Sequence, residues 1–207
     1  MSQNQMIGLR RIATRVHWSS LWLFVIGAVG AALFFGCGTS EDSKTIVRPV
    51  VPESFDGPTG GLKWSHPSRW IKADHGSSLI RLYIIPQSVG DPEPAQCSIY
   101  LVSTPLPGDT VSVLGRVVRE FQDVTFSDRD VVEKNGFMMT SIHLTGTYLK
   151  RIGIVDTLKA ENCRMLGVLV EGTEGNVFFK LVGLNKTVID AAGEFNQLLN
   201  SIAMRKE

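Results

Sequence analysis

Between Leu21 and Gly36 the chain runs without a charge, through Leu21, Trp22, Leu23, Phe24, Val25, Ile26 and on to Leu33, Phe34 and Phe35. Ahead of that run, Met1 to His17 carries Arg10, Arg11 and Arg15 and no acidic residue. A basic stretch stays in the cytoplasm while the apolar stretch behind it partitions into a bilayer. The transition therefore predicts an N-terminal membrane-targeting helix and a remainder that folds separately. Counted from Trp18, nineteen residues precede Cys37, close to the roughly 20 that cross a hydrocarbon core. Three readings stay open at this point: a cleaved export signal, a retained anchor, and a buried helix of a soluble fold.

Phe35-Gly36-Cys37, followed by Gly38, Thr39, Ser40, Glu41 and Asp42, resembles the end of a bacterial lipoprotein signal. In such signals cleavage before the cysteine leaves a lipidated N-terminal residue. The resemblance implies lipid on Cys37 and a signal or anchor over residues 1–37. In either membrane reading the rest of the chain belongs to the bacterial cell envelope, outside the cytoplasm, with membrane lipid as its N-terminal partner.

The full chain has formal charge +1 from 21 basic and 20 acidic residues, and residues 1–37 hold three of the arginines and no acid. Taking those three away leaves 18 basic against 20 acidic residues beyond Cys37. A slightly acidic remainder without a basic block offers no field for nucleic acid, which is excluded as a partner. Cys97 and Cys163 are the only cysteines there. Export permits them to pair, but two cysteines make no disulfide scaffold, and spacing alone leaves a bridge and two free buried thiols both open.

From Gly38 the composition turns to Ser, Thr, Pro, Glu and Asp without a sustained period, which predicts a flexible linker over residues 38–61 that ends at Gly57-Pro58-Thr59-Gly60-Gly61. The globular domain is expected over 62–204, long enough to bury its own core. Within it Ile80–Ile85 and Cys97–Val102 alternate as strands. Leu114, Val117, Val118 and Phe121 recur at helical spacing behind Asp109 or Thr110 as cap. Asn135-Gly136 separates Asp130–Lys134 from Phe137–Gly146 as a hairpin turn. Tyr148–Val155 extends or follows the second arm. Cys163–Glu171 and Asn176–Gly183 flank another hairpin turn, Gly172–Gly175, and Thr187–Met204 carries the clearest helical stripe. Strands joined by hairpins, with one helix in the middle and one at the end, predict an α+β fold. Its centre would be an antiparallel β-sheet flanked by helices, an α/β/α sandwich.

Four segments support a family resemblance: Leu62-Lys63-Trp64-Ser65-His66-Pro67-Ser68-Arg69-Trp70, Leu79–Leu82, Leu166–Val170, and Val177–Gly183 with Thr187-Val188 and Phe195. They resemble an uncharacterised bacterial envelope branch of the PsbP-like superfamily, to which the eukaryotic nuclear import protein that binds the GTPase Ran also belongs. The resemblance covers most of Leu62 to Ile202. It implies a central antiparallel sheet between helices and a non-enzymatic accessory role.

No HExxH, CxxC, Walker loop, dinucleotide fingerprint or Gly-x-Ser-x-Gly elbow occurs in the chain. No cofactor and no metal is expected. His66, Asp74 and His75, joined by His143, would make a zinc site only if three of them converged; the alternative is loop and strand histidines. Trp64 and Trp70 bracket a polar run and offer either core anchors or an aromatic docking patch with His66, Arg69 and Arg81 as its polar rim. These five are the expected partner or ligand surface. Lys180, set between apolar neighbours, either points at a ligand or snorkels to water. The expected function is a non-catalytic, membrane-attached accessory or binding protein that engages another envelope protein. A small-ligand or metal-binding lipoprotein is the alternative, and an unrecognised hydrolase a third.

Overall fold

Asn135 and Gly136 both adopt positive φ, +55° and +77°, the backbone that a two-residue hairpin turn of the type I′ class demands. They join the strands from which one side of the sheet is built. The computed structural model describes residues 49–102, 109–152 and 156–205, within one unit spanning Thr45–Glu207. The expected membrane-targeting helix, Cys37 and the first part of the linker lie outside the described residues. Among those described, no helix is long and apolar enough to cross a membrane.

In chain order the elements are β1 (Val50–Pro52), β2 (Leu62–Lys63), β3 (Ser65–Pro67), β4 (Ile71–Ala73), β5 (Arg81–Ile85) and β6 (Ala95–Val102). Then come α1 (Asp109–Val118), β7 (Phe121–Lys134), β8 (Phe137–Ile152), β9 (Asp156–Gly172), β10 (Gly175–Leu184), α2 (Asn185–Asn200) and β11 (Ala203–Met204). Seven strands pair in the order β4-β5-β6-β10-β9-β8-β7, antiparallel at every junction. Two small ribbons, β1 with β3 and β11 with β2, complete the pairing.

The strand alternation of β10 decides the layering. Val177, Phe179 and Leu181 join a cluster with Val188, Ala191, Phe195 and Leu198 of α2. Phe178 and Val182 join a second cluster with Val113, Leu114 and Val117 of α1. Period two on a central strand thus meets two helical stripes, one on each side, giving an α+β fold with a large antiparallel sheet flanked by two helices. Each fully buried side chain such as Phe179 or Leu181 contributes about 1.5–3 kcal/mol relative to exposure.

Four boundaries differ from the sequence reading. Strand β7 begins at Phe121, well before Asp130, and thirteen of its fourteen residues are exposed. An edge strand bare on both faces has no burial pattern for periodicity to detect. The first part of β9, from Asp156, is hidden from sequence for the same reason. Helix α2 stops at Asn200, not at Met204, because Ala203 and Met204 leave it to pair with Lys63 and Leu62.

The fourth difference is the linker. Residues 49–61 do not form a loose tether: Val50, Val51 and Pro52 pair with Pro67, His66 and Ser65, and the Glu53 side chain is 2% exposed. The reason is long-range. Glu53 meets the cations Lys72 and Arg81, partners that a polar, proline-containing sequence does not announce. The turn at Gly60 then docks on the β9–β10 turn, where a Cβ placed on Gly172 would lie 2.2 Å from the Gly60 carbonyl oxygen. Only glycine permits that approach.

Helix α2 lacks a side-chain cap from its own N-cap residue, Leu184. Asp91 supplies it from the loop between β5 and β6: its Oδ2 accepts from the Thr187 amide at 2.9 Å and from Thr187 Oγ1 at 2.6 Å. Urea denaturation should find Asp91→Ala less stable by about 0.5–2 kcal/mol, with an unchanged slope. Gly172→Ala, which presses a methyl group into the Gly60 turn, should cost about 1–3 kcal/mol. Wild-type midpoints in both variants would remove these two contacts from the account of stability.

Candidate functional site

The segment Trp64–Trp70 alternates between core and rim because β3 is short and Pro67 ends it. Trp64 is 2% and Trp70 3% exposed, so both indoles act as core anchors and neither offers a face to a partner. Each buried indole N–H has an acceptor: Trp64 Nε1 donates to the Tyr83 hydroxyl at 3.2 Å, and Trp70 Nε1 to Glu194 Oε2 at 2.9 Å. Arg69 Nε donates to both oxygens of Glu194, at 2.6 and 2.7 Å. The expected rim is therefore turned inward and ties α2 to the turn after β3.

A second carboxylate organises the remaining expected residues. Glu53 Oε2 accepts from Arg81 Nε at 3.1 Å and Lys72 Nζ at 3.2 Å, and the Tyr83 hydroxyl donates to the same group. His66 Nδ1 lies 2.8 Å from Glu53 Oε1, near enough for charge attraction but off the hydrogen-bonding direction. Burial opposes the charge of Glu53, and the donors Tyr83, Lys72 and Arg81 outweigh it, holding the carboxyl below its ordinary value. For His66 burial pushes the imidazole pKa down; Glu53 opposes this, while Lys72 and Arg81 add to it. The imidazole stacks on Tyr83 with ring centroids 4.9 Å apart. Trp64, His66 and Arg81 thus converge on Tyr83 and Glu53, and Arg69 and Trp70 on Glu194.

Neither glutamate was singled out in the sequence. For Glu194 a signal exists, since it stands three residues after Ala191 and four before Leu198, within the apolar stripe of α2. Glu53 carries no such mark. It sits in a stretch without period, and its partners are 13 to 30 residues away.

The remaining candidates stay apart. His75 lies exposed beside the Gly76 carbonyl, and His143 sits on β8 opposite Asp128 and Leu166. Among the described residues no three His, Cys, Asp or Glu side chains are grouped to hold a metal. Cys97 and Cys163 are free and buried, each within a different one of the two apolar clusters. Burial pushes both thiols up, away from the reactive thiolate.

Lys180 has a more specific setting. It projects toward the α1 side of the sheet, is 6% exposed, and places Nζ 2.8 Å from Glu120 Oε2. The ammonium lies 5.5 Å from the ring centre of Tyr100 and 5.9 Å from that of Tyr148. Burial works against its charge, and Tyr148, Tyr100 and Glu120 outweigh that, raising its pKa above the ordinary lysine value. It does not snorkel to water. The pair borders a cleft of about 350 Å³ between α1 and strands β6 and β10, with Phe178 on its floor and Arg116 at its rim.

No family model matches the chain, and no curated protein matches its sequence. Solved structures align with the chain at low identity. A protein of unknown function from Pseudomonas aeruginosa, PA94, described as a putative regulator, aligns at 11% identity over 76% of this chain and 99% of its own, with a TM-score of 0.50. The cyanobacterial PsbP of Synechocystis sp. PCC 6803 aligns at 9% identity over 77% of this chain and 95% of its own, with a TM-score of 0.47. LpqN of Mycobacterium tuberculosis, described as involved in cell envelope biogenesis, aligns at 12% identity over 76% and 91%, with a TM-score of 0.46.

The downward shifts of His66 and Glu53 have the same sign for stability. Each contribution is present above the group's ordinary value, 6.5 for the imidazole and 4.5 for the carboxyl, and is lost as pH falls through the lower folded value. Urea midpoints should therefore fall first between neutral pH and the folded pKa of His66, and again below pH 4.5. His66→Gln should flatten the first window and leave the second. A wild-type midpoint that is level from pH 7 to pH 5 would contradict this.

Proposed function

We propose that the protein is a non-catalytic accessory of the bacterial envelope, attached to the membrane through its N-terminus and engaging another envelope protein outside the cytoplasm. The observation that carries the reading is strand β7. It is the last strand of the sheet among the described residues, and it exposes Val124, Phe126, Val131 and Val132 at 41–52%. Edge strands are templates for a partner strand; on β7 the Arg129 and Val131 amides are already taken by Asp128 and Asp130 Oδ1, so the exposed apolar side chains, not free edge amides, carry the surface. The residues first expected to meet a partner, from Trp64 to Arg81, support the fold from inside. Attachment is supported by the basic-to-apolar transition that ends at Cys37. The resemblance of several segments to PsbP-like proteins adds an accessory habit in place of catalysis.

Two measurements test the two halves of the proposal. A photo-crosslinking amino acid at Phe126 or Val132 of the full chain, expressed in its own envelope, should yield one discrete adduct. The same probe at Ile71, exposed at the opposite edge of the sheet, should not. Equal labelling at both edges, or none at β7, defeats the partner surface. A clickable fatty-acid label should enter the wild-type chain and be lost in Cys37→Ser. Label that persists in Cys37→Ser defeats lipidation at that residue.

A further inference from the structure

The proposed accessory role makes no use of the cleft beneath α1. Its position is set by helical spacing on one side and strand alternation on the other: Val113 and Val117 descend from α1, and Phe178 rises from β10. These apolar groups line the interior. The charges gather on one flank, where Glu120 already neutralises Lys180 at 2.8 Å. Arg116, also lining the cleft, is exposed and makes no ion pair among the described residues. The lining therefore carries one cation in excess, around a cleft of about 350 Å³ that is part polar and part apolar. That volume lies at the lower end of the range for small-molecule sites.

We propose that this cleft binds a small amphiphile with a single carboxylate. Its apolar body lies against Phe178, Val113 and Val117, and its acid group meets Arg116, whose planar guanidinium presents paired donors to a carboxylate. Lys180 and Glu120 act as a pair of zero net charge that fixes the polar wall. Lys180, nine-tenths buried and held in place by Glu120 and two tyrosine rings, adds no net charge, so Arg116 is the charged partner of the acid in this lining. A neutral ligand of the same shape would gain only the apolar contacts. A cationic one would be repelled by Arg116.

The test uses the full chain reconstituted in lipid nanodiscs, titrated calorimetrically with 3-phenylpropionate and with the neutral 3-phenylpropanol. Heats from empty nanodiscs are subtracted. The acid should bind saturably, at least tenfold tighter than the alcohol, and Arg116→Gln should remove most of that tenfold difference. Because Arg116 is exposed, this variant keeps the fold, which circular dichroism verifies. Absence of saturable heat from the acid overturns the site. Equal affinity for acid and alcohol, or an undiminished preference in Arg116→Gln, overturns the assigned ligand chemistry. The β7 crosslinking outcome is separate, so either proposal can fail without the other.

Discussion

A strand that is apolar on both faces cannot sit against water on either side. In β10, Val177, Phe179 and Leu181 alternate with Phe178 and Val182, and both sets are buried. The strand therefore takes the middle of the sheet, between β6 and β9, and calls for a helix above and another below. Everything else is arranged around that requirement. The long strands β8 and β9 widen the platform, α1 closes one face, and α2 closes the other.

Charge enters this interior at a few points, each with a defined partner. Glu53 links the β1–β3 ribbon to β4 and β5 by accepting from Lys72, Arg81 and Tyr83, with the His66 ring beside it. Glu194 fastens α2 to Arg69 and Trp70. Removing one member of such a buried set leaves the others desolvated without compensation, which costs more than the intact set contributes. Lys180 and Glu120 repeat the device on the opposite face, but there the pair borders open space.

The parts of the fold that were legible in the sequence are those where burial leaves a period. Tyr83 and Ile85 with Cys97 and Ile99, the β9–β10 hairpin, and the stripe of α2 could be placed because apolar residues recur at two or at 3.6; of the α1 stripe Leu114 and Val117 are buried, whereas Val118 is exposed and Phe121 opens β7. Asn135-Gly136 was legible because its chemistry is specific to one turn. Strand β7 was not, since nearly all of it faces solvent. The end of the linker was not, because a strand of three residues is held by partners distant in sequence. The site residues were half legible. Trp64, His66 and Arg81 gather around Tyr83 and Glu53, and Arg69 and Trp70 around Glu194; sequence left these orientations open, since an arginine or indole reads the same whether it faces water or a hidden carboxylate. Arg116 and Glu120 look like ordinary solvent-side charges of an amphipathic helix until the space beneath them is known.

The two free cysteines have a consequence for how the chain matures. Cys97 lies in the α2-side cluster and Cys163 in the α1-side cluster, so the sheet itself stands between the sulfurs. A bridge between them would require the native strands to separate. In an oxidising compartment, such a bridge would form only in chains that have not yet closed their sheet, and it would then hold them out of the native state. There, correct assembly of β6, β9 and β10 would have to outpace thiol oxidation. Once assembled, the same sheet serves as the insulation that keeps both thiols reduced.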